Sequence, residues 1–136
     1  MPLDGRRTSI TWPGQDFAIR GDNHVAHGGD SSGPDGFDLL AAALGQCLLN
    51  TLLARAQAEG IVLRSAQALV ATKARLRGKD VAPYLGAFEV DIYLDGDLDE
   101  TVRLDLERSA KERCGVRETL LRIPEIVERV HIEPPS

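Results

Sequence analysis

Residues 37–59 read FDLLAAALGQCLLNTLLARAQAE, the longest apolar run in the chain, with Cys47 near its middle. Leu39, Leu40, Ala43, Leu44, Cys47, Leu48, Thr51 and Leu52 recur at i, i+3, i+4, i+7, the repeat of an amphipathic helix. The other side is hardly polar: Ala41, Ala42, Gly45 and Leu49 are small or apolar, and polar residues recur only from Asn50 onward. Small side chains at Ala41, Ala42 and Gly45 leave room for another backbone to approach. At 1.5 Å per residue the run has nearly the length of a membrane span. Gln46, Asn50 and Arg55 interrupt it, so it reads as the core helix of a soluble domain. Turn residues 31–36 precede it, with Pro34 or Asp35 opening the helix and Asp38 in its first turn, where a carboxylate offsets the helix dipole. Gly60 supplies the stop.

A chain of 136 residues, 43% hydrophobic and 27% charged, is expected to be one domain, residues 1–136. A helix that is apolar nearly all round is more than a domain of this size easily hides, which points to a second subunit. The net charge of −5 and the scattered basic residues argue against a nucleic-acid or anionic-membrane partner. The N-terminal stretch has no apolar core of a secretory signal, so a cytoplasmic location is expected. Two cysteines in such a compartment are not expected to be a structural staple.

Before the helix, Ser9–Trp12 and Phe17–Arg20 read as short strands around a Pro13-Gly14 turn, and His24–His27 as a third. After it, 61–76 and 87–94 alternate with period two. Phe88, Val90, Ile92 and Leu94 point one way, and the two strands most simply form an antiparallel hairpin. Asp97 followed by Glu100 resembles a capping box that opens a second helix. That helix ends at Arg113-Cys114-Gly115. A short third helix over 116–122 and a last strand over 126–132 complete an α+β order, with Glu133 to Ser136 as a tail.

Cys47 has two readings: a small apolar side chain in a helix core, or a nucleophilic thiolate. It lies about three turns inside its helix, beyond the reach of the terminal dipole, so activation needs a neighbouring group. Cys114 sits between two helices, where N–H groups of the short helix can stabilise a thiolate; the alternative is an inward-packed helix end. If the two cysteines meet, they form a reversible redox pair. His24 and His27 have the donor types of zinc ligands but not the spacing, and read as surface histidines. Asp95, Asp97, Asp99 and Glu100 lack the full calcium-loop pattern and serve turns and caps.

The stretch Pro34…Asp38-Leu39-Leu40-Ala41-Ala42-Ala43-Leu44-Gly45-Gln46-Cys47 resembles the central-helix motif of the OsmC-like family, which includes the organic hydroperoxide resistance proteins. Cys114-Gly115-Val116 resembles the family's Cys-Pro-Val, and the resemblance covers nearly the whole chain. It implies an intertwined α+β homodimer, with a long buried helix from each subunit wrapped by antiparallel sheets. It also implies a cysteine peroxidase. Cys47 attacks an organic hydroperoxide and becomes sulfenic acid, Cys114 resolves it as a disulfide, and an external dithiol, such as a lipoyl group, reduces the pair. No bound cofactor is implied. Three positions depart from the pattern. Gln15 stands in the turn where the peroxidase branches carry a thiolate-supporting arginine. Asp38 replaces glutamate, and Gly115 replaces proline. Arg20 is the candidate substitute for that arginine, with Asp38 to orient it. The rival readings are a non-catalytic dimer that binds an apolar small molecule and a slow thiol redox sensor.

Overall fold

A computed structural model describes residues 5–132. The tail reading of 133–136 lies outside the described residues. The central helix, α1, runs Gly36–Ala58. Asp35 is its N-cap in a reciprocal box: its side chain accepts from the Asp38 N–H at 2.8 Å, and Asp38 accepts from the Asp35 N–H at 3.0 Å. Gly60, at φ +70°, ends the helix in the left-handed conformation that favours glycine. Ala41, Leu44, Gly45, Leu48, Leu52 and Ala56 form its buried stripe. Gly45 leaves room for the side chains of a strand, since a Cβ there would lie 2.8 Å from Val70 Cγ1.

That strand belongs to a long antiparallel hairpin, β3 (Leu63–Arg75) and β4 (Tyr84–Gly96), paired from Leu63↔Gly96 to Arg75↔Tyr84 with two register shifts. The alternation in β4 turns Phe88, Val90, Ile92 and Leu94 onto the core, while Glu89, Asp91 and Tyr93 stay exposed. Helix α2 (Glu100–Arg113) lies against α1 and contributes Leu106 and Ala110 to the core. Helix α3 (Gly115–Leu120) follows at once and also packs on α1. The N-terminal strands β1 (Thr8–Thr11) and β2 (Ala18–Gly21) pair with each other as a separate two-stranded sheet. Between them and α1, buried Asp22 ties the loop. It accepts the Ser32 hydroxyl at 2.8 Å and the N–H groups of Asn23, Asp30 and Ser32.

Three expected elements differ. His24–His27 is not a strand, because Val25–His27 is a single 3-10 turn closed by Gly28 at φ +92°. The second helix is capped by Asp99, which accepts from the Val102 N–H at 2.8 Å, and not by Asp97. Asp97 lies two residues too early, and its side chain reaches Arg64 at 3.6 Å. Residues 126–132 form no strand, and no strand pairs with them among the described residues. Their apolar side chains are bare: Val130 is 95% and Ile132 102% exposed.

Candidate active site

Cys47 sits half-buried on α1, against the core that contains Cys114. Cys114 has no solvent exposure. It is both the last boundary of α2 and the N-cap of α3, with φ −79° and ψ 110°. Its Sγ accepts from the Arg117 N–H at 3.3 Å, a thiol in the role usually filled by a hydroxyl or carboxylate. Helix α3 packs on α1, and Val116 and Cys47 lie against the same core. Thr51, one turn beyond Cys47, donates its hydroxyl to the Cys47 carbonyl at 2.7 Å.

The two thiols act on each other and are shifted in opposite directions. The Val116 N–H is the strongest influence holding the Cys47 thiol below its ordinary range. The Cys114 thiol, the Gly115 N–H and the Thr51 hydroxyl act in the same direction against the cost of burial. Burial pushes the Cys114 thiol up, and the neighbouring Cys47 adds to the rise, with the Arg117 N–H opposing. One thiol is thus prepared to ionise and its partner to keep its proton. The sequence reading placed amide stabilisation at Cys114. The same short helix does supply the amides, but burial outweighs them there, and they act on Cys47. Residues Val116, Gly115 and Thr51 went unrecognised as members of this site. The adjacency of Cys114 to a helix start was the available signal for the first two.

Arg20 and Asp38 lie elsewhere in the chain. Arg20 is exposed on β2 and lines a recess of about 560 Å³ with Arg7, Thr8, Ser9, Gly21 and Ser32. Gln15 is in the β1–β2 turn, its N–H on the Trp12 carbonyl at 3.2 Å. No guanidinium is among the groups acting on Cys47 in the described residues. Asp38 engages the Asp35 amide and His24 Nε2, the latter at 3.2 Å, instead of an arginine. His24, Asp35 and Asp38 do bring three metal-donor atoms within 4.8 Å of one another. Helix capping by both carboxylates and their contacts with the imidazole account for the grouping.

The model of the family described as OsmC-like protein matches residues 28–128. No curated protein matches the chain. Among solved structures, the OsmC-like protein from Mycoplasma pneumoniae is 19% identical, with a TM-score of 0.68 over 89% of each chain. The OsmC-like hydroperoxide resistance protein from Jannaschia is 21% identical, with a TM-score of 0.60 over 85% of this chain and 75% of that one. The organic hydroperoxide resistance protein OsmC from Legionella pneumophila is 14% identical, with a TM-score of 0.63 over 87% and 89%. At these identities the likeness speaks for the fold. The match of the family model across most of the length, both cysteines included, settles the kinship: the chain belongs to the OsmC-like family.

Proposed function

We propose that the protein is a cysteine peroxidase for organic hydroperoxides, acting as a cytoplasmic homodimer in peroxide detoxification. The observation that carries this reading is the opposed pair of thiols: partly buried Cys47, held below its ordinary pKa, against fully buried Cys114, held above it. In the proposed reaction the Cys47 thiolate attacks the terminal peroxide oxygen. The O–O bond breaks, Cys47 becomes sulfenic acid, and the alkoxide leaves with the electron pair. The Cys114 thiol, the neighbouring proton carrier, protonates the alkoxide. The resulting Cys114 thiolate attacks the Cys47 sulfur, so the disulfide forms and hydroxide departs. An external dithiol restores both thiols by exchange, which fits a lipoyl-bearing protein or a similar dithiol as the reductant. Apolar Leu44, Leu48 and Leu120 around the pair favour an organic peroxide over hydrogen peroxide.

The test is a free-thiol count on reduced protein before and after one equivalent of cumene hydroperoxide. Both thiols are expected to disappear within seconds without cross-linked dimers on a non-reducing gel. Two thiols that persist for minutes would instead favour the non-catalytic ligand-binding reading.

A further inference from the structure

The recess beside the β1–β2 hairpin gathers two guanidiniums and a free hydroxyl. Antiparallel pairing sets Ser9 directly opposite Arg20, and side chains opposite each other share a face. Arg7, two positions before Ser9, lines the same recess of about 560 Å³. Its frame is tightly built. The loop after Ser32 lies so close to β2 that a Cβ on Gly33 would come within 2.8 Å of the Arg20 carbonyl oxygen, and a Cβ on Gly21 within 2.9 Å of the Thr8 hydroxyl. Ser32, also in the lining, is fastened by buried Asp22, which accepts its hydroxyl at 2.8 Å and its N–H at 3.3 Å.

The charges around the recess do not cancel. Asp30 accepts from Arg7 Nη2 at 3.0 Å, so its charge is matched. Asp22 is turned to the N–H groups of Asn23, Asp30 and Ser32 and to the Ser32 hydroxyl. Exposed Arg20 has no carboxylate partner among the described residues, although acids outnumber bases in the chain by five. The Ser9 hydroxyl likewise makes no hydrogen bond among them. A guanidinium is a planar fork of N–H donors with no acceptor, and it matches the paired oxygens of a carboxylate or a phosphate. The volume suits a small molecule, and no large apolar side chain lines it.

We propose that this recess binds the carboxylate or phosphate group of a small polar metabolite, with Arg20 as the anchoring cation, Ser9 as a hydroxyl donor and Arg7, braced by Asp30, as the second guanidinium. The proposal is separate from the peroxidase reading, because neither thiol takes part in it.

The test is calorimetric titration of the full-length protein with sodium phosphate and with sodium succinate, against sodium chloride at matched ionic strength. Saturable binding of at least one of the two is expected, and the tighter one tells a phosphate ligand from a carboxylate ligand. Arg20→Gln is expected to weaken it at least about tenfold and Arg20→Lys, which keeps the charge but loses the fork, by less. Arg122→Gln, on another surface, is expected to bind as wild type does. A second readout needs no substitution: in wild type, the amide resonances of Ser9, Arg20 and Gly21 are expected to shift along the same saturation curve. Heat no greater than that of chloride for both probes overturns the proposal. So does an Arg20→Gln variant that binds as wild type does, which would mean an adventitious ion only, or resonance shifts confined to other parts of the chain. Peroxide consumption enters none of these readouts, so failure of the peroxidase reading leaves this site standing, and failure here leaves that reading untouched.

Discussion

Cys47 and Cys114 are 67 positions apart in sequence, yet Cys47 packs against the apolar core that contains Cys114. Their difference in exposure and acidity makes an order of reaction testable. In reduced protein, Cys47 is expected to take up iodoacetamide at least about tenfold faster than Cys114 at neutral pH, since only a reachable thiolate reacts readily. Peptide mapping of a time course reads both sites. Cys47→Ser is expected to abolish consumption of cumene hydroperoxide. Cys114→Ser is expected to accumulate a sulfenic acid at Cys47 that a dimedone probe labels. Asp22 gives a second prediction at this scale. The Ser32 hydroxyl and the amides around it lower its pKa from 3.8 to about 2. A depressed acid contributes stability that is fully present above its ordinary pKa and lost as pH falls through the folded value. Asp22→Asn is therefore expected to melt below wild type at neutral pH, with the gap closing between about pH 4 and about pH 2. Melting curves at stepped pH check it.

The elements were legible where local chemistry and long-range packing agree. Asp35, one of the two openings the sequence offers, and Gly60 bound α1 in the fold, where Asp38 also closes a reciprocal box with Asp35. Phe88, Val90, Ile92 and Leu94 announced one face of β4, and that face meets the core. The failures have physical causes. Asp97 and Asp99 are equally good caps in isolation, and the choice falls on the one whose side chain reaches the Val102 amide, while Asp97 turns to Arg64. The influence of the Val116 amide on Cys47 was not legible because it comes from a helix far along the chain. Gly45 permits a prediction with a change of sign. Gly45→Ala gains helix propensity of about 1 kcal/mol but forces its Cβ onto the stiff side chain of Val70. It is expected to destabilise wild type by about 1–2 kcal/mol and to stabilise a Val70→Ala background, where that methyl is gone. Chemical denaturation of the four proteins completes the cycle. Leu106→Ala, at a side chain with no exposure, is expected to cost about 2–5 kcal/mol by the same measurement.

At the scale of the whole molecule, one chain leaves much apolar surface uncovered. Leu40 and Leu53 on α1, Leu69 and Leu76 along the hairpin, and Ile123, Ile126, Val130 and Ile132 at the C-terminal end all face outward. Helix α1 is also long and apolar enough to cross a membrane, yet its buried stripe lies against β3, α2 and α3. A second copy offers cover for its other face, and the period-two pattern at 126–132 suits a strand whose neighbour lies in that copy. Sedimentation at micromolar concentration is expected to give a dimer. Replacement of Val130 and Ile132 by lysine is expected to weaken it by at least about tenfold in dissociation constant. Sedimentation as a monomer by the wild type would remove the dimer from the proposal.

The cap of α3 has a further consequence. The sulfur that accepts the Arg117 amide at 3.3 Å is the one that the catalytic cycle would draw into a new bond. Each turnover would then withdraw and restore the fastening of a six-residue helix. The redox state of the buried pair would be written into solvent exchange at one backbone amide, that of Arg117, slow in the dithiol and faster in the disulfide. A hydrogen-exchange measurement at that position would follow the proposed cycle with no substrate, dye or electrode in contact with either sulfur.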